Sequence, residues 1–166
     1  MSKTQSKEAV TPRPASTLIL VREGPEAPEV LLMERGAGAR FMPGAYVFAG
    51  GAVDPGDASQ EAYALSPLTD ERASATLKVA RDGLAYYVAA VREALEECGL
   101  LLAYESDGSL VKLTHWGEVQ LHAIRNQVNR QHIDLAQLCR EQGWRLALDQ
   151  LQYFAHWITP DRKSVV

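Results

Sequence analysis

A chain of 166 residues is long enough to bury one sizeable core. Its 46% hydrophobic and 23% charged residues are those of an ordinary globular domain, and a net charge of −4 argues against a general nucleic-acid or membrane-surface binder. No apolar run reaches the length of a membrane span, the N-terminus carries no apolar signal core, and Cys98 and Cys139 form no C-x-x-C pair, so a cytoplasmic setting is expected.

Residues 1–14 are rich in Ser, Thr, Lys and Pro and read as a mobile tail. Apolar, partly β-branched runs at 17–21 and 30–33 flank a turn at 23–29 that contains Gly24, Pro25 and Pro28, which predicts two antiparallel strands. In the loop that follows, Arg35 and Arg40 stand among small residues. The arginine fork suits phosphate, and two solvated surface arginines are the plainer alternative. A strand at 45–48 runs into Gly50 and Gly51, where the backbone can turn sharply and approach a ligand, with Asp54 and Asp57 close behind.

Residues 58–82 are Ala-rich and partly helical in pattern, with a break at Ser66-Pro67. Asp82 is placed to cap a helix over about 84–98, which Gly99 would end. A strand at 100–104, helices at 116–129 and 134–141, a helical turn at 146–151 and an aromatic strand at 153–158 complete the pattern. The histidines (His115, His122, His132 and His156) are scattered, which favours structural or surface roles over metal binding.

The helix over 84–98 carries the chemistry. At about 100° per residue, Glu96 and Glu97 fall roughly 60° and 40° to either side of Glu93. Leu84, Tyr87, Val88, Val91, Leu95 and Cys98 project to the opposite side. Like charges at i,i+4 and anions in a last turn both work against a helix. A hard divalent cation resolves that conflict, because carboxylate oxygens are its preferred ligands. A solvated acidic face is the alternative.

The glycine loop with carboxylates, followed by Arg92-Glu93-x-x-Glu96-Glu97-x-Gly99-Leu100, resembles the Nudix hydrolase family, whose box reads G-x5-E-x7-R-E-U-x-E-E-x-G-U, U being a bulky aliphatic residue. Gly51 matches the first glycine and Asp57 the first acid, as Asp in place of Glu. Between Asp57 and Arg92 lie 34 residues where the pattern has seven, and Ala94 is small for its position. An interrupted-box branch that includes coenzyme A diphosphatases is similar. Members that cleave coenzyme A carry L-L-T-x-R-(S/A)-x3-R-x3-G-x3-F-P-G-G. Leu31, Leu32, Arg35, Arg40, Gly44, Phe48, Gly50 and Gly51 match it without a gap, while Met33, Gly36 and Ala49 depart from it.

The resemblance implies an α/β (α+β) fold with a Nudix-like mixed β-sheet between helices. It implies a single domain over 15–166 with a helical insertion at about 58–82. Relatives of this kind continue past the equivalent of Thr159-Pro160 with further strands, so an end at Val166 is expected to leave the domain short. The implied activity is metal-dependent hydrolysis of a nucleoside diphosphate derivative, with coenzyme A or acyl-coenzyme A favoured. The alternatives are ADP-ribose or a dinucleotide as substrate, or a Nudix-fold binding module without turnover.

The catalytic set is then Glu93, Glu96, Glu97 and Arg92, and Mg²⁺ or Mn²⁺ is held by Glu93, Glu96, Glu97 and Asp57. Arg35, Arg40, Gly50 and Gly51 are expected to bind substrate. One of the glutamates, or a carboxylate from elsewhere, serves as base, and Arg92 pairs with a carboxylate of the site, Asp57 being the family-position candidate. The expected partner is the small-molecule substrate, with no nucleic acid and no membrane, and a homodimer is left open.

Overall fold

The computed structural model describes residues 12–38, 42–113, 117–130 and 133–158. Most of the expected tail, together with Arg40, His115, His132, Thr159 and Pro160, lies outside them. The α+β class holds: a helical layer packs on small antiparallel ladders. Among the described residues, four two-stranded antiparallel ladders take the place of one continuous mixed sheet.

Strand β1 (Ala15–Leu18) pairs with β6 (Ala49–Ala52), in the register Ala15 to Ala52 and Leu18 to Ala49. β2 (Val21–Arg22) pairs with β3 (Glu29–Val30) across the predicted turn, and β4 (Met33–Glu34) pairs with β5 (Tyr46–Val47). The two apolar runs read as single strands are thus each broken. Between β3 and β4, Leu31 and Leu32 are both exposed rather than alternating between two faces.

The segment at 58–82 folds as two short helices, α1 (Gln60–Ala64) and α2 (Asp70–Leu77), with the expected break between them. Ser59 and Thr69 cap them by accepting from the amides of Ala62 and Arg72. α2 packs on the central helix α3 (Gly83–Glu93), which also lies against β1 and β6. Asp82 occupies the capping position of α3 but gives no side-chain bond, because its backbone is left-handed at φ 58°. The cap comes from α2 instead. Asp70 Oδ1 accepts from Leu84 N at 2.8 Å, Asp70 Oδ2 from Asp82 N at 3.1 Å, and Ser74 Oγ from Gly83 N at 2.9 Å.

The apolar face of α3 packs as its spacing predicts. Leu84, Val88, Val91 and Leu95 are all buried, each worth about 1.5–3 kcal/mol relative to exposure. They join Leu101, Val128, Leu135, Leu138, Cys139, Trp144, Leu146 and Leu148 in one core. α4 (Glu118–Asn129) and α5 (Leu135–Gln142) follow; Asp134 caps α5 through Gln137 N, and Gly143 ends it at φ 72°. β7 (Ala103–Tyr104) pairs with β8 (Arg145–Leu146), and the helical turn expected over 146–151 is a 3₁₀ turn at Leu148–Gln150. The aromatic run at 153–158 is exposed and pairs with no strand among the described residues.

Candidate active site

The acidic helix does not remain α-helical to its end. After Glu93 it widens into a π turn over Ala94–Cys98, closed by Gly99 at φ 69°. Turns of this kind are rare and recur at functional sites. Glu96 and Glu97 both sit on it. Its apolar side is fixed by the buried Ala94 and Leu95. Cys98 Sγ lies 3.3 Å from Met33 Sδ, which ties the turn to β4.

Arg92 organises the carboxylates. Its side chain is 9% exposed and that of Asp57 is 2% exposed. Nε donates to Asp57 Oδ1 at 2.9 Å, and Nη2 donates to Asp57 Oδ2 at 3.1 Å and to the Ala52 carbonyl at 2.8 Å. Nη1 donates to Glu93 Oε1 at 2.9 Å and to Glu96 Oε1 at 3.1 Å. These contacts use all the N–H groups of a guanidinium. Burial works against the Arg92 charge, yet hydrogen bonding and attraction from Asp57, then Glu96 and Glu93, hold its pKa above the ordinary arginine value.

Glu97 is docked separately. Its Oε2 accepts from Gly50 N at 2.9 Å. The glycine pair makes this approach sterically feasible. A Cβ on Gly50 would collide with the backbone of Ser16 and Thr17 on β1, and a Cβ on Gly51 would collide with the Glu93 carboxylate. The glycine loop, expected to meet substrate, is therefore pressed against the acidic turn.

Asp57 stands behind Arg92. Both its oxygens are taken, by Arg92 and by the Asp54 amide at 2.8 Å. The expected pairing with Arg92 is present and, with the Asp54 amide, engages both oxygens of a buried carboxylate. Arg35 follows β4, with its backbone amide and carbonyl bonded to Ala45 and Gly44. Arg40 lies outside the described residues.

Sequence reasoning missed Arg125 of α4, whose guanidinium reaches the carbonyls of Glu96 and Glu97. A cavity of about 290 Å³ borders Arg92, with Asp54, Asp57, Glu96 and Asp134 on its wall.

Among the described residues, no three acidic, histidine or cysteine side chains stand as a ready cage for a metal ion. The donor chemistry nonetheless fits a hard divalent cation. Glu93 Oε2, Glu96 Oε2 and Glu97 Oε1 accept no hydrogen bond from the described residues, and all three are oxygen ligands.

Burial and, to a lesser degree, neighbouring charge act on Glu93. Burial raises the pKa of Glu93; Arg92 opposes the rise by charge and hydrogen bond, and Glu96 and Glu97 add to it. The folded state therefore keeps the Glu93 proton to higher pH than the unfolded chain does. The stability this group contributes is full below the ordinary glutamate pKa, near pH 4, and is lost as pH rises through the raised value. In metal-free protein, a urea series run upward from about pH 4 is expected to fall less steeply for Glu93→Gln than for wild type. Parallel slopes would assign the pH dependence to other groups.

Two curated relatives are similar to this chain. The acyl-coenzyme A diphosphatase NUDT19 of Xenopus laevis is 26% identical over 159 residues, covering 80% of this chain and 42% of that protein. The acyl-coenzyme A diphosphatase NUDT19 of Gallus gallus is 27% identical over 167 residues, covering 82% of this chain and 44% of that protein. The matched region thus spans less than half the length of either relative. A crystal structure of a NUDIX hydrolase from Alicyclobacillus acidocaldarius superposes with a TM-score of 0.64 at 27% identity, covering 85% of this chain and 59% of that one. No family model matches the chain.

Proposed function

We propose that the chain, similar to Nudix hydrolases in sequence and fold, hydrolyses the diphosphate linkage of a nucleoside diphosphate derivative, with an acyl-coenzyme A or coenzyme A as the favoured substrate. One observation carries the reading: Arg92 commits its whole guanidinium to Asp57, Ala52, Glu93 and Glu96, while Glu97 is held by the Gly50 amide. Fixing three like charges beside a glycine loop costs stability, and a diphosphate-cleaving site gives that cost a purpose. The names of the curated relatives support the choice of substrate.

Glu93, Glu96 and Glu97 would hold Mg²⁺ or Mn²⁺, which when bound neutralises diphosphate charge and lowers the pKa of a water. Asp57 anchors Arg92 in place of the metal role expected for it. Arg92, with no donor to spare, positions Glu93 and Glu96 and does not touch the substrate. Gly50 and Gly51, lacking side chains, let the loop close on the glutamate turn, and the substrate phosphate meets the loop there. Glu97, the exposed member of the three, takes the proton from the attacking water. Arg35, and Arg40 beyond the described residues, contact the nucleotide part of the substrate.

Among the described residues, no helix is long and apolar enough to cross a membrane. Cys98 and Cys139 are unpaired, which supports the cytoplasmic setting expected from the sequence.

The test is hydrolysis of coenzyme A, acetyl-coenzyme A, ADP-ribose and NADH with Mg²⁺ in excess, beside a Glu96→Gln/Glu97→Gln control. Metal-dependent cleavage of the coenzyme A compounds, absent from the control, is expected. Preferential cleavage of ADP-ribose or NADH would move the substrate assignment. Metal-dependent binding without phosphate release would make the chain a binding module.

A further inference from the structure

We infer that Arg125 is a positioning residue for the glutamate turn, setting its affinity for a divalent cation through the backbone of Glu96 and Glu97. The inference rests on the metal-dependent reading above and deepens it. Arg125 Nε and Nη2 donate to the Glu96 carbonyl at 3.1 and 2.8 Å, and Nη2 also donates to the Glu97 carbonyl at 2.8 Å. These carbonyls belong to the end of a helix, where backbone acceptors run out of amides. The turn closes behind them through Gly99 N to Leu95 O and Leu100 N to Ala94 O. On α4, Leu121 and Arg125 flank that closure: a Cβ on Gly99 would lie 3.4 Å from a carbon of each.

Two guanidiniums therefore hold the turn in different ways. Arg92 fixes the side chains of Glu93 and Glu96. It makes no contact with Glu97, whose carboxylate is tied only to Gly50 N among the described residues. The direction of the Glu97 side chain is then set by its backbone, and Arg125 holds that backbone. The positive charge also lies at the C-terminal end of a helix, where the macrodipole and three carboxylates sum to a concentrated negative field. A cation there lets the carboxylates stay together before any metal arrives, without competing for their free oxygens.

The test compares wild type with Arg125→Ala, Arg125→Lys and Leu121→Ala in the full chain. Leu121→Ala removes packing at the same closure and leaves the guanidinium in place. Mn²⁺ binding is titrated calorimetrically without substrate. The Mg²⁺ needed for half-maximal turnover is measured on whichever substrate the wild type cleaves.

Arg125→Ala is expected to weaken Mn²⁺ binding by about 10- to 100-fold, the range for a residue that orients metal ligands. The Mg²⁺ requirement should rise by a similar factor, with kcat at saturating metal nearly kept. Arg125→Lys should recover part of the loss, because an ammonium supplies the charge without the fork. It also carries the test if the alanine variant does not fold. Leu121→Ala should lower Tm and leave Mn²⁺ binding unchanged. Wild-type affinity in Arg125→Ala, or an equal loss in Leu121→Ala, would overturn the inference alone. A wild-type protein that binds no Mn²⁺ would overturn it together with the metal reading.

Discussion

Replacing Arg92 with methionine is expected to destabilise the protein by about 3–5 kcal/mol, because it strands a buried charge. Asp57 is 2% exposed, and in the variant its only remaining partner among the described residues is the Asp54 amide. Glu93 and Glu96 lose their shared donor at the same moment. Urea denaturation measures the loss. The double variant Arg92→Met/Asp57→Leu should regain much of it, since removing both charges leaves none uncompensated. Turnover should stay low in the double variant, because the glutamates remain unpositioned. A single-variant loss below about 1 kcal/mol would show that the pair behaves like a solvated surface bridge.

Glu97→Gln is expected to lower turnover by at least about 100-fold, the order seen when a transition-state electrostatic contact is lost. The amide oxygen of glutamine can still accept from Gly50 N, so the docking of turn to loop should survive and Tm should change little. That separation is what makes the variant informative: charge is removed while geometry is kept. Turnover near wild type would take Glu97 out of the metal set. A large fall in Tm would instead show that its charge is needed to hold the loop.

The packing of α3 was legible in advance because a 3.6-residue period and a buried face are the same information. Leu84, Val88, Val91 and Leu95 are buried as their spacing demands. The link between Asp57 and Arg92 could be expected only from the family pattern, since 34 residues separate them and local spacing says nothing about such a contact. Arg125 could not be picked out. In sequence it is one basic residue on an amphipathic helix, and its role exists only because α4 docks on the π turn. Asp70 was hidden for a similar reason: an acid in a first turn looks like a contribution to its own helix, and its oxygens cap a different one. Nothing in Ala94–Cys98 announces a π turn. The strand pairing of Arg145–Leu146 was not foreseen, because two residues carry no period.

The cap that α2 places on α3 bears on why the motif tolerates interruption. Lengthening a connection from seven residues to 34 adds only about 1.4 kcal/mol of loop-closure entropy, since the cost grows with the logarithm of length. A single helix-capping contact is worth about 1 kcal/mol, and the inserted segment supplies three hydrogen bonds, from Asp70 and Ser74, where the chain re-enters the helix. The detour is close to thermodynamically neutral. What the acidic helix senses is where the detour delivers the chain, not how long it is. Segments of quite different length could occupy this place, provided they end with an acceptor pair over the amides of residues 82–84.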